Sequence, residues 1–237
     1  MTTGVTGLGT IVGVWAHPDD ETYLTGGIMA LARRGGQRVV CVTATRGEKG
    51  SQDENRWPPA TIAQTREAEL AAALAVLGVE EHRWLDFVDG ECDSVDDAEA
   101  TSKLARIFDE VDPDTILTFG PDGQTGHPDH LAVHRWTMDA WKASGGRARV
   151  AWAVVPQGWE EFAEKLNEFD VFAPGTPVFV PAEDLDVHVV VEGELMDLKL
   201  RALREQTSQT EGLLAALGEG FLRRALADES FSSGSSA

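Results

Sequence analysis

An α/β fold with a mostly parallel, Rossmann-like sheet is what this sequence predicts, on two observations. Short apolar runs of strand length recur along the chain, and the stretches between them carry helical spacing. The strand-like runs lie near Thr10 to Trp15, Arg38 to Thr43, His82 to Leu85, Thr115 to Phe119 and Arg149 to Val154. Leu70, Ala73, Leu74 and Leu77 fall at i, i+3, i+4 and i+7, and Leu104, Ile107, Phe108 and Val111 repeat that pattern. Each set puts one apolar stripe on a helix. Crossovers of helical length favour parallel strands covered on both faces, with ligands at the carboxyl ends of the strands.

The stretch from Gly145 to Val191 is less regular. Pro156, Pro174, Pro177 and Pro181 punctuate it, and it is expected to add strands or a segment that completes the substrate pocket. Residues 194–217 read as one helix. A single domain over residues 1–231 and a disordered tail over 232–237 complete the expected layout, with no internal repeat.

Length and composition fit this reading. A chain of 237 residues with 42% hydrophobic content can bury a full core alone. No segment approaches the roughly 20 apolar residues that cross a bilayer, and the N-terminal stretch has no signal-peptide pattern, so a cytoplasmic protein is expected. Cys41 and Cys92 lack metal-site spacing and read as reduced, packed thiols. A formal charge of −20 argues against nucleic-acid or anionic-membrane partners. Homo-oligomerisation is left open.

Two segments carry chemistry. The first, Ala16-His17-Pro18-Asp19-Asp20-Glu21, begins where the run TIVGVW stops, at the carboxyl end of a strand. His17 and Asp20 are three apart, so one tight turn brings both side chains together, and an imidazole with a carboxylate suits a divalent ion such as zinc. Asp19 lies between them as a candidate general base. By itself this segment could equally be an Asp-rich helix cap with a chance histidine.

The second, Gly126-His127-Pro128-Asp129-His130, follows the run TILTF and lands on the same sheet edge. Pro128 suits the first position of a helix, with His130 in its first turn. His17, Asp20 and His130 then offer two imidazoles and a carboxylate to one metal, leaving positions open as a catalytic site needs. His127 is left to face the substrate. The rival pairing is His130 with His134, four apart on one helical face.

These motifs, with TRGEKGS at Thr45 to Ser51, resemble the PIG-L or LmbE-like N-deacetylases in order and separation. KLRAL at Lys199 to Leu203 followed by Ser208-Gln209 extends the resemblance over most of the chain. It implies a zinc-dependent hydrolase that removes an acetyl group from an N-acetylglucosamine-type conjugate with a metal-activated water as nucleophile. His17, Asp20 and His130 would be the ligands and Asp19 the base, with His127 stabilising the oxyanion and protonating the leaving amine. Asp129 would orient a motif histidine, Glu21 would support it, and Arg46 and Asp89 would contact substrate.

Two departures stand out. Gln206 occupies a place where the family often has histidine. Leu24 stands where some thiol-conjugate amidases of the family have lysine, so an amidase acting on a thiol or natural-product conjugate is the less attractive variant. A silent metal-binding homologue is a further alternative. Ferrous iron would suit the same ligands as zinc. A nucleotide-binding reading of the glycines in Gly7 to Gly13 fails on position, because those glycines precede the first strand.

Overall fold

In the computed structural model, which describes residues 4–233, a seven-stranded sheet forms the spine. The strands are β1 (Ile11–Trp15), β2 (Val39–Thr45), β3 (Glu81–Phe87), β4 (Thr115–Phe119), β5 (Arg149–Ala153), β8 (Val187–Val190) and β9 (Asp228–Ser232), in the spatial order β3-β2-β1-β4-β5-β9-β8. The first five are parallel, while β9 runs antiparallel to both neighbours. β6 (Val155–Pro156) and β7 (Phe179–Val180) form a separate small parallel pair. The expected α/β, Rossmann-like sheet is therefore present, with an antiparallel edge.

The parallel strands lie at the centre because their sequences are apolar on both faces. Every residue of β1, β2 and β4 is buried, as strands covered by helices on both sides require. Helices α1 (Asp20–Arg34) and α2 (Ile62–Leu77) cross between β1, β2 and β3, and pack with α6 (Gly193–Glu205). Helices α3 (Asp97–Val111) and α4 (Pro128–Ala143) pack together. Right-handed crossovers place these two groups on opposite faces. The order reverses at β1, whose neighbours are β2 and β4, and the loops after β1 and β4 face each other across this switch point.

The remaining helices are α5 (Glu160–Leu166), α7 (Thr207–Leu217) and α8 (Glu219–Ala225). The helix expected over residues 194–217 is in fact two, α6 and α7. Gln206 separates them at φ −92°, ψ 47°, with its side chain buried rather than on a helix surface. Ser232, expected in a loose tail, pairs with Trp152 at the end of β9, and residues 234–237 of that tail lie outside the described residues. No described helix is long and apolar enough to cross a membrane.

One buried ion pair ties the C-terminal strand to α1. Lys199 and Glu229 are both fully buried and 2.7 Å apart. Glu229 also accepts the N–H groups of Gly27 and Ile28, each at 2.7 Å. A Cβ at Gly27 would come within 2.5 Å of Val191, so glycine permits this approach. Removing one member of a buried pair strands the other charge. Glu229→Ala is expected to cost about 3–5 kcal/mol in denaturant unfolding; a loss under about 1 kcal/mol would show that Lys199 finds water or another acceptor.

Candidate active site

The site is built from the loops that leave the carboxyl ends of β1 and β4, with contributions from those after β2 and β3. After Trp15 the chain turns at once. The His17 N–H donates to Asp20 Oδ2 at 2.8 Å, closing a turn that sets both side chains on one side. Asp19 caps α1 at φ 117°, ψ −35°, a strained conformation for a residue with a Cβ, of the sort found where function demands it. Glu21, wholly buried, holds it there by accepting the Asp19 N–H at 2.9 Å.

On the β4 side Pro128 is the first residue of α4 and His127 its N-cap, with His127 Nδ1 accepting the N–H of Asp129 at 3.2 Å. That leaves the other ring nitrogen of this exposed histidine as its donor. His130, one turn in, is buried against Phe119, whose ring stacks on it at 4.0 Å.

The two buried histidines are fixed by partners that decide which nitrogen is free. His17 Nε2 lies 3.1 Å from Asp129 Oδ2 and 3.1 Å from Asp89 Oδ1. Asp129, fully buried, also accepts the N–H groups of Gly90 at 2.7 Å and Cys92 at 3.1 Å. His130 Nδ1 donates to the Gly123 carbonyl at 3.0 Å. The other ring nitrogens, His17 Nδ1 and His130 Nε2, face Asp20, at 3.7 Å from Oδ2 and 3.5 Å from Oδ1. Two imidazoles and a carboxylate, with their second nitrogens already engaged, form a donor set that fits zinc or ferrous iron.

Among the described residues, potential ligand atoms fall within 4.8 Å of one another in two groups that share His17. One is His17, His127 and His130; the other is His17, Asp89 and Asp129. Asp20 bridges the two buried histidines of the first group. His134, the rival ligand, gives its Nδ1 to the Phe119 carbonyl at 2.7 Å and joins neither group.

Charges follow from this packing. Burial opposes a proton on His17, but Asp129, Asp89 and Asp20 outweigh it and raise its pKa to about 10. Burial, with the nearby His17 charge, lowers His130 to about 4. Burial would raise Asp129, yet its bonds to His17 and to backbone N–H groups hold it at about 2. Burial pushes Asp19 up to about 8, against the pull of Arg66.

Arg66 is the functional neighbour that motif reading overlooks. It is 4% exposed on α2, and its guanidinium donates to the carbonyls of Pro18 at 2.6 Å and Gly47 at 2.9 Å and to Asp19 Oδ2 at 3.3 Å. It thereby clamps the loop after β1 to the loop after β2. Gly47, at φ 64°, and Gly50 let it pass, since a Cβ at either would sit 2.1 or 2.4 Å from Arg66 Nη1. Its signal in the sequence was a charge on the buried stripe Ile62, Arg66, Leu70, Leu74.

Two other residues expected at the substrate have partners within the chain. Asp89, expected against a sugar, has both oxygens engaged, one with His17 and the other accepting the Lys49 N–H at 2.8 Å. Arg46 bonds Asp86 at 2.7 Å and lies over the Trp84 ring. Gln206, the departure from the family pattern, donates to Glu21 Oε1 at 2.7 Å and so supports the residue that holds Asp19.

Residues 12–141 match the family described as PIG-L: GlcNAc-PI de-N-acetylase. That is more than half of the chain. The chain belongs to the PIG-L family. Relatives include a 1D-myo-inositol 2-acetamido-2-deoxy-alpha-D-glucopyranoside deacetylase of Kineococcus radiotolerans, 32% identical, covering 84% of this chain and 68% of its own. One of the same description from Mycolicibacterium gilvum is 36% identical over 73% of this chain and 67% of its own. Among solved structures, N,N'-diacetylchitobiose deacetylase from Pyrococcus horikoshii superposes with a TM-score of 0.69 at 22% identity, covering 95% of this chain and 84% of that one. The protein TT1542 from Thermus thermophilus gives 0.65 at 24%, covering 94% of each. These two establish the shared LmbE-like fold.

Proposed function

We propose that this PIG-L family chain is a zinc-dependent N-deacetylase that releases acetate from an N-acetylglucosamine-type amino sugar conjugate. The observation that carries the reading is the convergence of His17, Asp20 and His130 beside an acid–base pair, Asp19 and His127, at one switch point of the sheet. The relatives named as deacetylases of an inositol 2-acetamido-2-deoxy-glucopyranoside support the substrate class.

His17 Nδ1, Asp20 and His130 Nε2 would hold the ion. When bound, it would polarise the amide carbonyl and lower the pKa of a water to roughly 7. Asp19, with a carboxyl poised near neutrality, takes a proton from the attacking water. His127 turns its remaining ring N–H to the developing oxyanion, gives that proton to the departing amine as the C–N bond breaks, and recovers it from Asp19, which had taken it from the water. Acetate and a free amino sugar result. Asp129 and Asp89, at His17 Nε2, would favour the tautomer that leaves Nδ1 available to hold the ion.

The pKa values give the pH dependence its sign. His130 is neutral above about pH 4, but His17 keeps its proton up to about pH 10 in the metal-free chain, so the ion must displace it. Zinc affinity is therefore expected to rise about tenfold per pH unit between pH 6 and 8 in competition titrations; a flat profile would mean that His17 is not a ligand. To touch a sugar, Arg46 would have to leave Asp86. Arg46→Ala is expected to raise KM more than it lowers kcat, and an unchanged KM would place Arg46 outside the site.

A screen for acetate release from N-acetylated amino sugar conjugates tests the reading. Turnover of none of them by a metal-loaded protein would favour a metal-binding homologue without catalysis.

A further inference from the structure

The donor cluster opens into a cavity of about 260 Å3, with Asp20 and His130 in its wall. Beyond those two residues the lining is mostly apolar and aromatic. Tyr23 and Leu24 come from α1, Phe119 from the end of β4, Trp159 and Phe172 from the irregular segment, and Leu222 from α8. Several of the polar atoms present are already committed. Trp159 Nε1 donates to the Ala225 carbonyl at 2.8 Å, Asp228 pairs with His188 at 2.7 Å, and the Thr125 hydroxyl lies 3.1 Å from His130 Nδ1. Gln124 and Tyr23 are the other polar side chains of the wall.

Resting on the deacetylase reading above, we infer that the substrate carries an alkyl or aryl group joined to the amino sugar, and that this group fills the cavity. A cyclitol such as inositol would lose its bonds to water there and recover few from the wall, since a polar group buried without a partner is costly. An apolar group gains by leaving water. The contrast with the inositol-conjugate relatives has a place in the chain. The walls from Val154 to Phe172 and from Leu213 to Asp228 lie outside residues 12–141, which carry the family match. Leu24 adds an apolar side chain to the wall close to Asp20 in the sequence.

The apolar group could join the sugar on the acyl side or on the glycoside side, and two substrate series separate these. One is N-acylglucosamines of increasing acyl length; the other is alkyl glycosides of N-acetylglucosamine of increasing alkyl length. In one series kcat/KM is expected to climb about fourfold per methylene until the cavity is full. Leu24→Lys should flatten that climb and Leu24→Met should keep it. Flat or falling profiles in both series, or preference for an inositol glycoside over an alkyl glycoside of similar size, would overturn the inference. If metal-loaded protein cleaves no amide at all, the deacetylase reading fails separately. Calorimetric binding of the same alkyl glycosides then decides the cavity. A Kd that falls with chain length in the parent but not in Leu24→Lys upholds it, and a Kd indifferent to length overturns it.

Discussion

Asp19→Ala is expected to lower kcat by about 10² to 10⁴ while the protein still binds one metal ion. The separation of these two effects follows from the turn. Asp19 faces Arg66 and contributes neither of the oxygens that approach His17 Nδ1 and His130 Nε2, which both belong to Asp20. The substitution removes the proton acceptor and leaves His17, Asp20 and His130 in place. A carboxamide at this position makes a second, sharper variant. Asp19→Asn keeps volume and a bond to Arg66 yet cannot accept the water's proton, so its kcat should fall with that of Asp19→Ala. Near-parental turnover in either variant would remove Asp19 from the base role.

Asp20→Ala is expected to do the opposite, abolishing turnover because the ion is no longer retained. Asp20 would be the only carboxylate in the ligand set, and its Oδ2 also closes the turn by accepting the His17 N–H. Replacing a group that merely orients a metal-binding histidine typically costs about 10- to 100-fold in metal affinity, so loss of a ligand should exceed that. Asp129→Ala should fall in the smaller range, because it touches His17 from the other side of the ring. Metal content after dialysis reads both. Full retention by Asp20→Ala would shift the ligand set to His17, His127 and His130, the other grouping that this geometry allows.

The parallel half of the sheet was legible because its strands are short apolar runs, and the site loops because HPDD and HPDH each begin where such a run stops or soon after. Pro128 marked the start of α4 for a local reason, a fixed φ and no N–H to lose. The rest depends on contacts distant in sequence. Gln206 sits in a helix-like pattern, but its amide is drawn to Glu21, 185 residues away, and the helix breaks there. Strand β9, Asp-Glu-Ser-Phe-Ser, reads as polar because Glu229 is buried only by virtue of Lys199 and the N–H groups of α1. Asp89 was expected against substrate by resemblance, and its place against His17 depends on the loop after β3, which no local pattern shows. Arg66 was visible as a charge on a buried stripe, yet nothing local told that it clamps two loops.

On the proposed mechanism, one metal ion held at the β1–β4 switch point makes this chain an amide hydrolase. The most direct measurement strips the protein of metal and follows acetate release from an N-acetylglucosamine glycoside during stepwise addition of zinc or, without oxygen, ferrous iron. Turnover that rises linearly to a plateau at one equivalent in the parent, and stays at background in Asp20→Ala, is the predicted result. Turnover that survives removal of the metal, or a parent that binds one ion and releases no acetate, would contradict it.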